Sequence, residues 1–544
     1  MLQGTVAWPE DFAARYRAAG HWDGRTLFSV LDTAAARWPD KAALVAGEQR
    51  LSYRELQQQA TRLAARLWAL GLRPRDRVLM QLPNCIEFAI VYFALARIGA
   101  IPVMALRSHR HAEVRHFLKA SAATAYVIAD RVGGFDFREM AEQLRPETPA
   151  LRHVIVLGEA LPGQQPLDAL RADGPVEAPE VQVDPVEVGT MLLSGGTTSM
   201  SKLIPRTHQD YVLNARLCGR AAGFGEDTVF MAILPLGHNY NLASPGLLAT
   251  LLYGGTVVLA ASPQPEDVFA AVQREGVTHI AAVVPLIAGW LAGDYERRYD
   301  LRTLRVVQNG GARLAPELRQ RLRERFGCTP QEIYGTAEGL INMTRLDDPD
   351  ELLLHSSGAP VCEDDEILVL DDDGHVLPDG EAGELVTRGP YTIRGYYDAA
   401  DKNTEAFTPE GYYRMGDIVR KQGRYVFAEG RRKDFINRGG EKISCEEIEN
   451  LMFAHPKVKT ATLVAMPDPV FGEKACAFVV PHPGASLSFD ELIAFLRAQQ
   501  IASFKLPERL EVVSELPVSP VGKILKRQLR EMIAAKIEQE RQGT

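Results

Sequence analysis

The chain has 544 residues, of which 46% are hydrophobic, and this predicts a globular protein of more than one domain with a substantial core. The formal net charge of −9 argues against nucleic acid as a partner. The longest apolar run, residues 88–96, is too short to cross a bilayer, and the N-terminus lacks a secretory pattern, so we expect a cytoplasmic protein without a membrane partner. The six cysteines are scattered without a C-x-x-C pair, which predicts free thiols, no disulfide framework and no structural zinc.

Helical and strand-like patterns alternate along the first third of the chain, as in βαβ units. A stretch rich in proline and glycine, residues 145–185, interrupts the alternation and predicts loops around one short strand. The predicted elements are helices at 53–70 and 86–98 and strands at 77–82, 101–106, 153–157 and 188–193.

A loop suited to phosphate binding follows the last of these strands. Residues 193–202 read LSGGTTSMSK, in which glycines admit an anion to the backbone N–H groups, hydroxyls donate hydrogen bonds and Lys202 adds a positive charge. A P-loop motif needs glycine directly before the lysine and serine or threonine directly after it, where this chain has Ser201 and Leu203. Nucleotide binding is therefore the first hypothesis, and this segment alone leaves open a flexible surface loop.

Alternation resumes after this loop and predicts a large N-terminal α/β domain of parallel-rich sheets flanked by helices. A charged run at 430–434 marks the start of a smaller α+β domain, so we place the domains at 1–432 and 433–544. The further predicted elements are strands at 229–234, 256–260, 279–284, 304–308, 332–334, 460–465 and 475–480 and helices at 265–274, 448–454, 489–499 and 526–540.

Five further segments follow in order: 334–338 (YGTAE), 383–385 (GEL) with 388–389 (RG), 413–417 (YRMGD), 430–442 and 517–523. Together they make the chain resemble the adenylate-forming (acyl-AMP ligase) superfamily over almost its whole length. Longer runs lie at 238–246 (HNYNLASPG), 345–349 (RLDDP), 388–397 (RGPYTIRGYY) and 436–442 (INRGGEK). These runs resemble the stand-alone aryl-acid ligases of catechol siderophore biosynthesis, the 2,3-dihydroxybenzoate–AMP ligase group.

The resemblance implies the adenylate-forming fold, with a mobile C-terminal domain, and a reaction in two halves. An aryl carboxylate attacks the α-phosphate of ATP to give aryl-AMP and pyrophosphate, and a thiol then takes the aryl group. It assigns catalysis to Lys523, Lys202 and His238, the hinge to Lys433 and Asp434, and the pantetheine-side loop to Gly439 and Gly440. The implied ATP-binding residues are Ser194, Gly195, Gly196, Thr197, Thr198, Lys202, Gly311, Tyr334, Gly335, Thr336, Glu338, Asp417, Arg431 and Lys523.

Several of these assignments make chemical sense. Glu338 is the implied Mg²⁺ ligand, and a hard cation prefers oxygen donors. Asp417, joined by Arg431, is expected to accept hydrogen bonds from the ribose hydroxyls, and Lys523 to stabilise the negative charge of the transition state. Taken singly, these residues are also typical of a surface loop, a turn and a solvated lysine. One departure is Ser199, which stands where the family usually has glycine and which disfavours positive φ.

The aryl-acid pocket is assigned by resemblance to Asn239, Tyr240, Ser244, Gly310 and Ile341. Amino-acid-activating relatives have aspartate at the position of Asn239, so the neutral amide argues against an amino acid, and it is placed to hydrogen-bond a 2-hydroxyl. Ser244 favours a 3-hydroxyl, whereas the size of the Ile341 side chain does not distinguish 2,3-dihydroxybenzoate from salicylate. Because a hydroxyl-binding pocket discriminates more strongly than one methylene of wall volume, we expect 2,3-dihydroxybenzoate, ahead of salicylate or 3-hydroxypicolinate.

The expected acyl acceptor is the phosphopantetheine arm of a separate aryl carrier protein, because the residues after Lys523 read as one charged helix with no room for a fused carrier domain. A basic patch at Lys526, Arg527 and Arg530 is a candidate docking surface for an acidic carrier. Two alternatives stay open: an aryl or fatty acyl-CoA ligase with the same nucleotide motifs, and a catalytically silent homologue that senses aryl acid or nucleotide.

Overall fold

The structure is a computed structural model that describes residues 1–172, 174, 179–194, 201–431, 435–438, 441–468, 470–499, 501, 503–519 and 524–542. The elements up to residue 207 are α1 (Glu10–Ala18), α2 (Leu27–Arg37), β1 (Ala42–Ala46), β2 (Gln49–Ser52), α3 (Tyr53–Ala69), β3 (Arg77–Gln81), α4 (Ile86–Arg97), β4 (Ile101–Met104), α5 (His111–Ser121), β5 (Ala125–Ala129), β6 (Arg131–Val132), β7 (Phe135–Asp136), α6 (Phe137–Leu144), β8 (His153–Leu157), β9 (Gln165–Pro166), α7 (Leu167–Arg171), β10 (Val188–Leu193) and β11 (Leu203–Thr207).

The next elements are α8 (His208–Ala221), β12 (Val229–Ala232), α9 (Asn239–Ala243), α10 (Leu247–Leu252), β13 (Thr256–Leu259), α11 (Pro265–Glu275), β14 (His279–Ala282), α12 (Val284–Ala292), α13 (Tyr295–Arg298), β15 (Val306–Gly310), α14 (Pro316–Phe326), β16 (Thr329–Thr336), β17 (Gly339–Met343), α15 (Asp350–His355), β18 (Ala359–Pro360), β19 (Glu366–Leu370), β20 (Ala382–Arg388), α16 (Ala400–Ala406), β21 (Tyr413–Gln422) and β22 (Tyr425–Arg431).

The remaining elements are β23 (Phe435–Arg438), β24 (Glu441–Ser444), α17 (Cys445–Phe453), β25 (Val458–Asp468), β26 (Gly472–Pro481), α18 (Phe489–Ala498), β27 (Arg509–Val512) and α19 (Lys526–Gln542). Short 3-10 helices lie at Arg145–Glu147 and Ser503–Lys505.

Two parallel-rich sheets dominate the chain, as the alternating pattern predicts. The first has the strand order β18-β17-β16-β15-β14-β12-β13-β1-β2 and the second β11-β10-β4-β3-β5-β8-β9. In the first sheet the strands from β16 to β1 are parallel to their neighbours, and β2, β17 and β18 add antiparallel pairs at its two edges. In the second sheet the strands from β10 to β9 are parallel, and β11 adds an antiparallel pair at one edge. Helices cover both faces, which confirms the predicted α/β class.

The two faces of each sheet are buried in different cores, which explains why their strands are continuous apolar runs. In β3, Val78 and Met80 lie in the main core between the sheets, whereas Leu79 lies in a second core on the outer face. In β12, Phe230 joins the main core and Met231 an outer one. Since side chains alternate along a strand, each residue of the run has an apolar neighbour.

A third, antiparallel sheet with the order β19-β20-β21-β22 follows the parallel-rich sheets, and it was absent from the predicted elements. Other corrections are smaller. The strand predicted at 279–284 ends at Ala282, because Pro285 occupies the first turn of α12. The strand predicted at 304–308 is β15, two residues later. The stretch predicted as loops also contains β9 and α7, whose Leu167 is fully buried.

The C-terminal part contains a fourth sheet with the order β24-β23-β26-β25, and β27 pairs with β26. Leu463 and Ala477 face a core shared with α17 and α18, whereas Val464 and Phe478 face a core shared with α19. This arrangement, a sheet with helices on both faces, is the predicted α+β unit. β22 ends at Arg431 and β23 begins at Phe435, and the boundary at 432/433 stays a prediction.

All six cysteines are free thiols, as predicted. Among the described residues there is no helix long and apolar enough to cross a membrane.

Burial, with a smaller contribution from the charge of Asp364, raises the pKa of Asp365 from 3.8 to about 7. A 2.6 Å hydrogen bond that Tyr391 Oη donates to Oδ2 and the charge of Arg424 act in the opposite direction. The folded state therefore keeps a proton that the unfolded chain releases. The contribution of Asp365 to the free energy of unfolding is full below pH 4 and falls, by up to about 1.4 kcal/mol per pH unit, as the pH rises to 7.

In Asp365→Asn the side chain still accepts a hydrogen bond from Tyr391 but cannot ionise. We therefore expect the free energy of unfolding to fall less with rising pH in this variant. Urea unfolding midpoints at pH 5, 6, 7 and 8 should fall less steeply in the variant, which should be the more stable protein at pH 8. Asp373→Asn, at an exposed aspartate, is the matched control and should run parallel to the wild type. Parallel curves for Asp365→Asn as well would contradict the assignment.

Candidate active site

The predicted phosphate loop joins two paired strands at the edge of the second sheet. Leu193 at the end of β10 is opposite Leu203 at the start of β11. Ser194 N donates to Lys202 O at 3.0 Å, and Lys202 N donates to Ser194 Oγ at 2.9 Å, so these two residues close the base of the loop. The other predicted loop residues, Gly195, Gly196, Thr197 and Thr198, and the departure Ser199 lie outside the described residues.

Lys202 and Glu338 are brought together by Tyr396. The Lys202 ammonium lies 4.1 Å from the centre of the Tyr396 ring, and Tyr396 Oη donates a 2.8 Å hydrogen bond to Glu338 Oε1. Burial and the Glu338 charge raise the pKa of Tyr396, so its hydroxyl stays a donor. Glu338 is only 6% exposed, and its carboxylate is thereby oriented beside the loop lysine. The sequence analysis gave Tyr396 no role, although it lies in the run 388–397.

Arg206 is a second residue that sequence reasoning missed. It lies in β11, is fully buried, and its Nε donates to Asp210 Oδ1 at 2.8 Å. Its two terminal nitrogens donate to Ala337 O at 2.9 Å and Tyr391 O at 3.0 Å. Asp210 also accepts from the backbone and hydroxyl of Thr207, the N-cap of α8. Arg206 thus ties the loop strand to both segments that carry Glu338 and Tyr396.

The predicted ribose-binding carboxylate lies at the meeting of the first and third sheets. Tyr334 Oη donates to Asp417 Oδ2 at 2.7 Å, and Asp417 is 7% exposed. The register of β21 and β22 places Asp417 opposite Arg431, whose side chain is outside the description. Two predicted ATP-binding residues, Tyr334 and Asp417, are therefore in direct contact.

Close approach of the backbone accounts for the glycines near these residues. A Cβ on Gly335 would lie 2.2 Å from Leu340 O. A Cβ on Gly310 would lie 2.8 Å from the Tyr240 ring, so glycine lets this predicted pocket residue pack against the end of β15. Gly311 has φ of +83°, and Thr336 Oγ1 donates to Gly339 O at 3.1 Å.

The predicted aryl pocket residues gather around the short helix α9. His238 is its N-cap, and its Nδ1 accepts from Tyr240 N at 3.2 Å. Asn239 Nδ2 donates to Ser244 Oγ at 3.2 Å, and both residues are buried. Ile341 lies in β17 opposite Gly335, which links the pocket wall to the nucleotide-side motif.

Two residues of α8 complete this pocket and were absent from the sequence analysis. Tyr211 Oη donates to Asn239 Oδ1 at 2.8 Å, and Asn214 Nδ2 donates to Ser244 Oγ at 2.8 Å. Both are fully buried. Their spacing of three residues on one helix, directly after the loop strand, is a signal that could have identified them.

The structure brings most of the predicted residues it describes into two neighbouring groups, one around Glu338 and Asp417 and one around Asn239. The remaining predictions, Lys523, Lys433, Asp434, Gly439 and Gly440, fall outside the described residues.

Known families and known proteins match this chain over most of its length. Residues 31–397 match the AMP-binding enzyme family, and residues 447–523 match the AMP-binding enzyme C-terminal domain. The chain is 46% identical over 538 residues to a 2,3-dihydroxybenzoate-AMP ligase of Bacillus subtilis (strain 168), covering 99% of each protein. It is 45% identical to a salicyl-AMP ligase / salicyl-S-ArCP synthetase of Mycobacterium tuberculosis, covering 97% of this chain and 94% of that one. The apo structure of Mycobacterium smegmatis MbtA superposes with a TM-score of 0.76 at 42% identity, over 97% of this chain and 98% of that one.

The buried ion pair should make Arg206 a major determinant of stability. Arg206→Met leaves the Asp210 charge buried without its cation, so we expect the free energy of unfolding, measured by urea denaturation, to fall by about 3–5 kcal/mol. Arg302→Met removes a guanidinium that is 89% exposed beside Asp300 and should cost less than about 0.5 kcal/mol.

The double variant Arg206→Met with Asp210→Asn, which leaves no buried charge, should recover part of the loss. A cost for Arg206→Met as small as that of Arg302→Met would show that the pair does not hold this junction.

Proposed function

The chain belongs to the AMP-binding enzyme family, as an aryl-acid adenylating ligase, and from this membership we propose that it activates 2,3-dihydroxybenzoate with ATP and transfers the aryl group to a separate aryl carrier protein. The observation that carries the choice of acid is the hydroxyl of Ser244 in the buried pocket. Its Oγ accepts from the amides of Asn214 and Asn239, at 2.8 and 3.2 Å, so its own proton is available as a donor.

That proton suits a 3-hydroxyl oxygen on the aryl ring. The thiol of Cys218 lies on the same network, but burial raises its pKa to about 12, and a neutral sulfur is a weak acceptor that a phenolic oxygen outcompetes. Asn239 offers an amide rather than a carboxylate, which supports an aryl acid over an amino acid. The 2,3-dihydroxybenzoate-AMP ligase of Bacillus subtilis is among the relatives that cover the full chain.

ATP would lie along the group formed by Lys202, Glu338 and Asp417, with its β- and γ-phosphates at the loop and its ribose at Asp417. Glu338 fits Mg²⁺, because a buried carboxylate oriented by Tyr396 is a suitable oxygen donor for a hard cation. The ion, when bound, neutralises phosphate charge. Lys202 adds its own charge beside the same carboxylate, and Tyr396 holds both groups in place.

In the first half-reaction a carboxylate oxygen of the aryl acid forms a bond to the α-phosphorus of ATP, and the bond to pyrophosphate breaks. Lys523 is our candidate for stabilising the charge that gathers on the α-phosphate, with His238 beside the pocket. In the second half a thiolate sulfur bonds to the aryl carbonyl carbon, and AMP leaves. Rotation about Lys433 and Asp434 would exchange Lys523 for the Gly439–Gly440 loop between the two steps. The use of ATP and a thiol supports a location in the cytoplasm.

The choice of acid is tested by ATP–pyrophosphate exchange with purified protein, Mg²⁺ and a panel of acids: 2,3-dihydroxybenzoate, salicylate, 3-hydroxypicolinate, benzoate, an amino acid and a fatty acid. We expect kcat/KM for 2,3-dihydroxybenzoate to exceed that for salicylate by about tenfold or more, since a buried hydrogen bond is lost with salicylate. Ser244→Ala should bring this ratio towards one. Ser121→Ala, which removes another buried hydroxyl, that of a serine bonded to Phe117 O, should leave it unchanged.

Comparable efficiencies for 2,3-dihydroxybenzoate and salicylate in the wild type would overturn the ranking and favour a salicylate ligase. Exchange with no acid would favour the silent homologue, and free CoA as the preferred acceptor would favour an acyl-CoA ligase.

The proposed docking surface for the carrier protein is the exposed start of α19. Of the three basic residues expected there, Lys526 is only 17% exposed. Its Nζ lies 2.8 Å from Glu449 Oε1, so it forms an ion pair within the C-terminal unit. Arg527 is 55% exposed and is paired with Glu531, one turn along the helix. The patch therefore centres on Arg527 and Arg530, and it offers less positive charge to a carrier protein than the sequence suggests.

Arg527→Glu with Arg530→Glu should slow transfer to a phosphopantetheinylated aryl carrier protein several-fold, because charge steering is reversed, while pyrophosphate exchange stays unchanged. The effect should shrink as ionic strength rises. Arg302→Glu with Lys402→Glu makes the same change of net charge on the N-terminal part and should affect neither step. Equal losses of both half-reactions in the first variant would contradict this docking surface.

A further inference from the structure

The aryl pocket is backed by a second layer of polar side chains from α8. Tyr211 and Asn214 are each fully buried, and each hydrogen-bonds a different residue of the pocket: Tyr211 the amide of Asn239, and Asn214 the hydroxyl of Ser244. Asn239 Nδ2 in turn donates to Ser244 Oγ, so the four side chains form one connected chain of hydrogen bonds. Such a network restricts which pocket atoms can act as donors or acceptors.

The direction of the hydrogen bonds is fixed at both ends of this chain. At one end Asn214 Nδ2 also donates to Ala243 O at 2.9 Å, and a backbone carbonyl can only accept. At the other end burial raises the pKa of Tyr211 well above 10, so its hydroxyl keeps its proton. Within the part of the chain that the structure describes, that proton is donated to Asn239 Oδ1.

The orientation of the Asn239 amide follows from the Tyr211 end, because the Ser244 hydroxyl that accepts from Asn214 can serve Asn239 as either acceptor or donor. With Oδ1 occupied by Tyr211, its Nδ2 carries one N–H to Ser244 and keeps a second N–H for the pocket. The flipped amide would direct an N–H at the Tyr211 hydroxyl and remove the acceptor of a buried O–H, which is unfavourable. The pocket therefore presents a donor, and not an acceptor, at Asn239.

We propose that Tyr211 is a positioning residue that fixes Asn239 as a hydrogen-bond donor, with Asn214 supporting it through Ser244, so that the site takes aryl acids with an oxygen ortho to the carboxylate and rejects the matching ortho-amines. This inference rests on the proposed function, which places the ortho substituent at Asn239. A 2-hydroxyl gives its proton to the neighbouring carboxylate and keeps lone pairs that can accept from Asn239. A 2-amino group has a second N–H, which would meet the N–H of Asn239 donor to donor.

Salicylate and anthranilate are the test pair, because they differ only in the ortho group. In pyrophosphate exchange the wild type should favour salicylate over anthranilate in kcat/KM. Tyr211→Phe removes the proton that holds Asn239 Oδ1, so the amide can turn, and the ratio should fall by about tenfold or more. A purely structural defect would lower both efficiencies together and leave the ratio unchanged.

Two further variants separate positioning from loss of packing. Tyr53→Phe also removes a buried hydroxyl, one that donates to Gly255 O at 2.6 Å, and should leave the ratio at the wild-type value. In an Asn239→Asp background the side chain has no amide to orient, so adding Tyr211→Phe should not change the ratio further. Asn214→Ala should lower the ratio less than Tyr211→Phe does, because Asn214 acts on Asn239 through Ser244.

The outcomes distinguish this inference from the proposed substrate. A wild type that prefers salicylate to 2,3-dihydroxybenzoate would overturn the assigned acid and leave the role of Tyr211 intact. An unchanged salicylate-to-anthranilate ratio in Tyr211→Phe, or a wild type that prefers anthranilate, would overturn the role of Tyr211 whichever hydroxy acid is best. Failure of every 2-hydroxy acid to support exchange would overturn both.

Discussion

The buried pair of Arg206 and Asp210 is the constraint on which the site depends. A fully buried guanidinium must have partners for its N–H groups, and the structure supplies Asp210 and the carbonyls of Ala337 and Tyr391. The two carbonyls belong to segments far apart in the sequence, one ending at Glu338 and the other leading to Tyr396. A buried N–H group of Arg206 without an acceptor would cost free energy. The guanidinium therefore fixes how β11, the motif at 334–338 and the segment at 388–397 meet.

The junction of β11 and α8 also connects the two halves of the site. Lys202 directly precedes β11, and α8, capped by Thr207, presents Tyr211 and Asn214 to the predicted aryl pocket. One continuous strand and helix thus contribute to both the predicted nucleotide side and the predicted acid side. In the proposed function this continuity would hold the reacting carboxylate and the phosphates in a fixed relation, which a reaction accelerated by positioning and charge requires.

Much of the fold could be predicted from the sequence. Continuous apolar runs such as those of β3 and β12 indicate strands buried on both faces, and the helices α3, α4 and α11 were predicted to within one residue at each end. The antiparallel third sheet was not predicted, because its strands mix buried and exposed positions and pair with one another instead of alternating with helices. Helix α12 was not predicted, and its first residue was assigned to the preceding strand, because the helix is as apolar as that strand.

The sequence by itself determined the family, the order of the motifs, the α/β class and the residue types of the site, since these depend on local pattern and on runs of identity. Only the tertiary structure decided the relations between the motifs: that Tyr396 joins Lys202 to Glu338, that Tyr334 meets Asp417, and that Tyr211 holds the amide of Asn239. Each of these contacts links residues that are separated in the chain. A hydrogen bond depends on the distance and direction between two atoms, and in this protein the packing of three sheets around one core sets both.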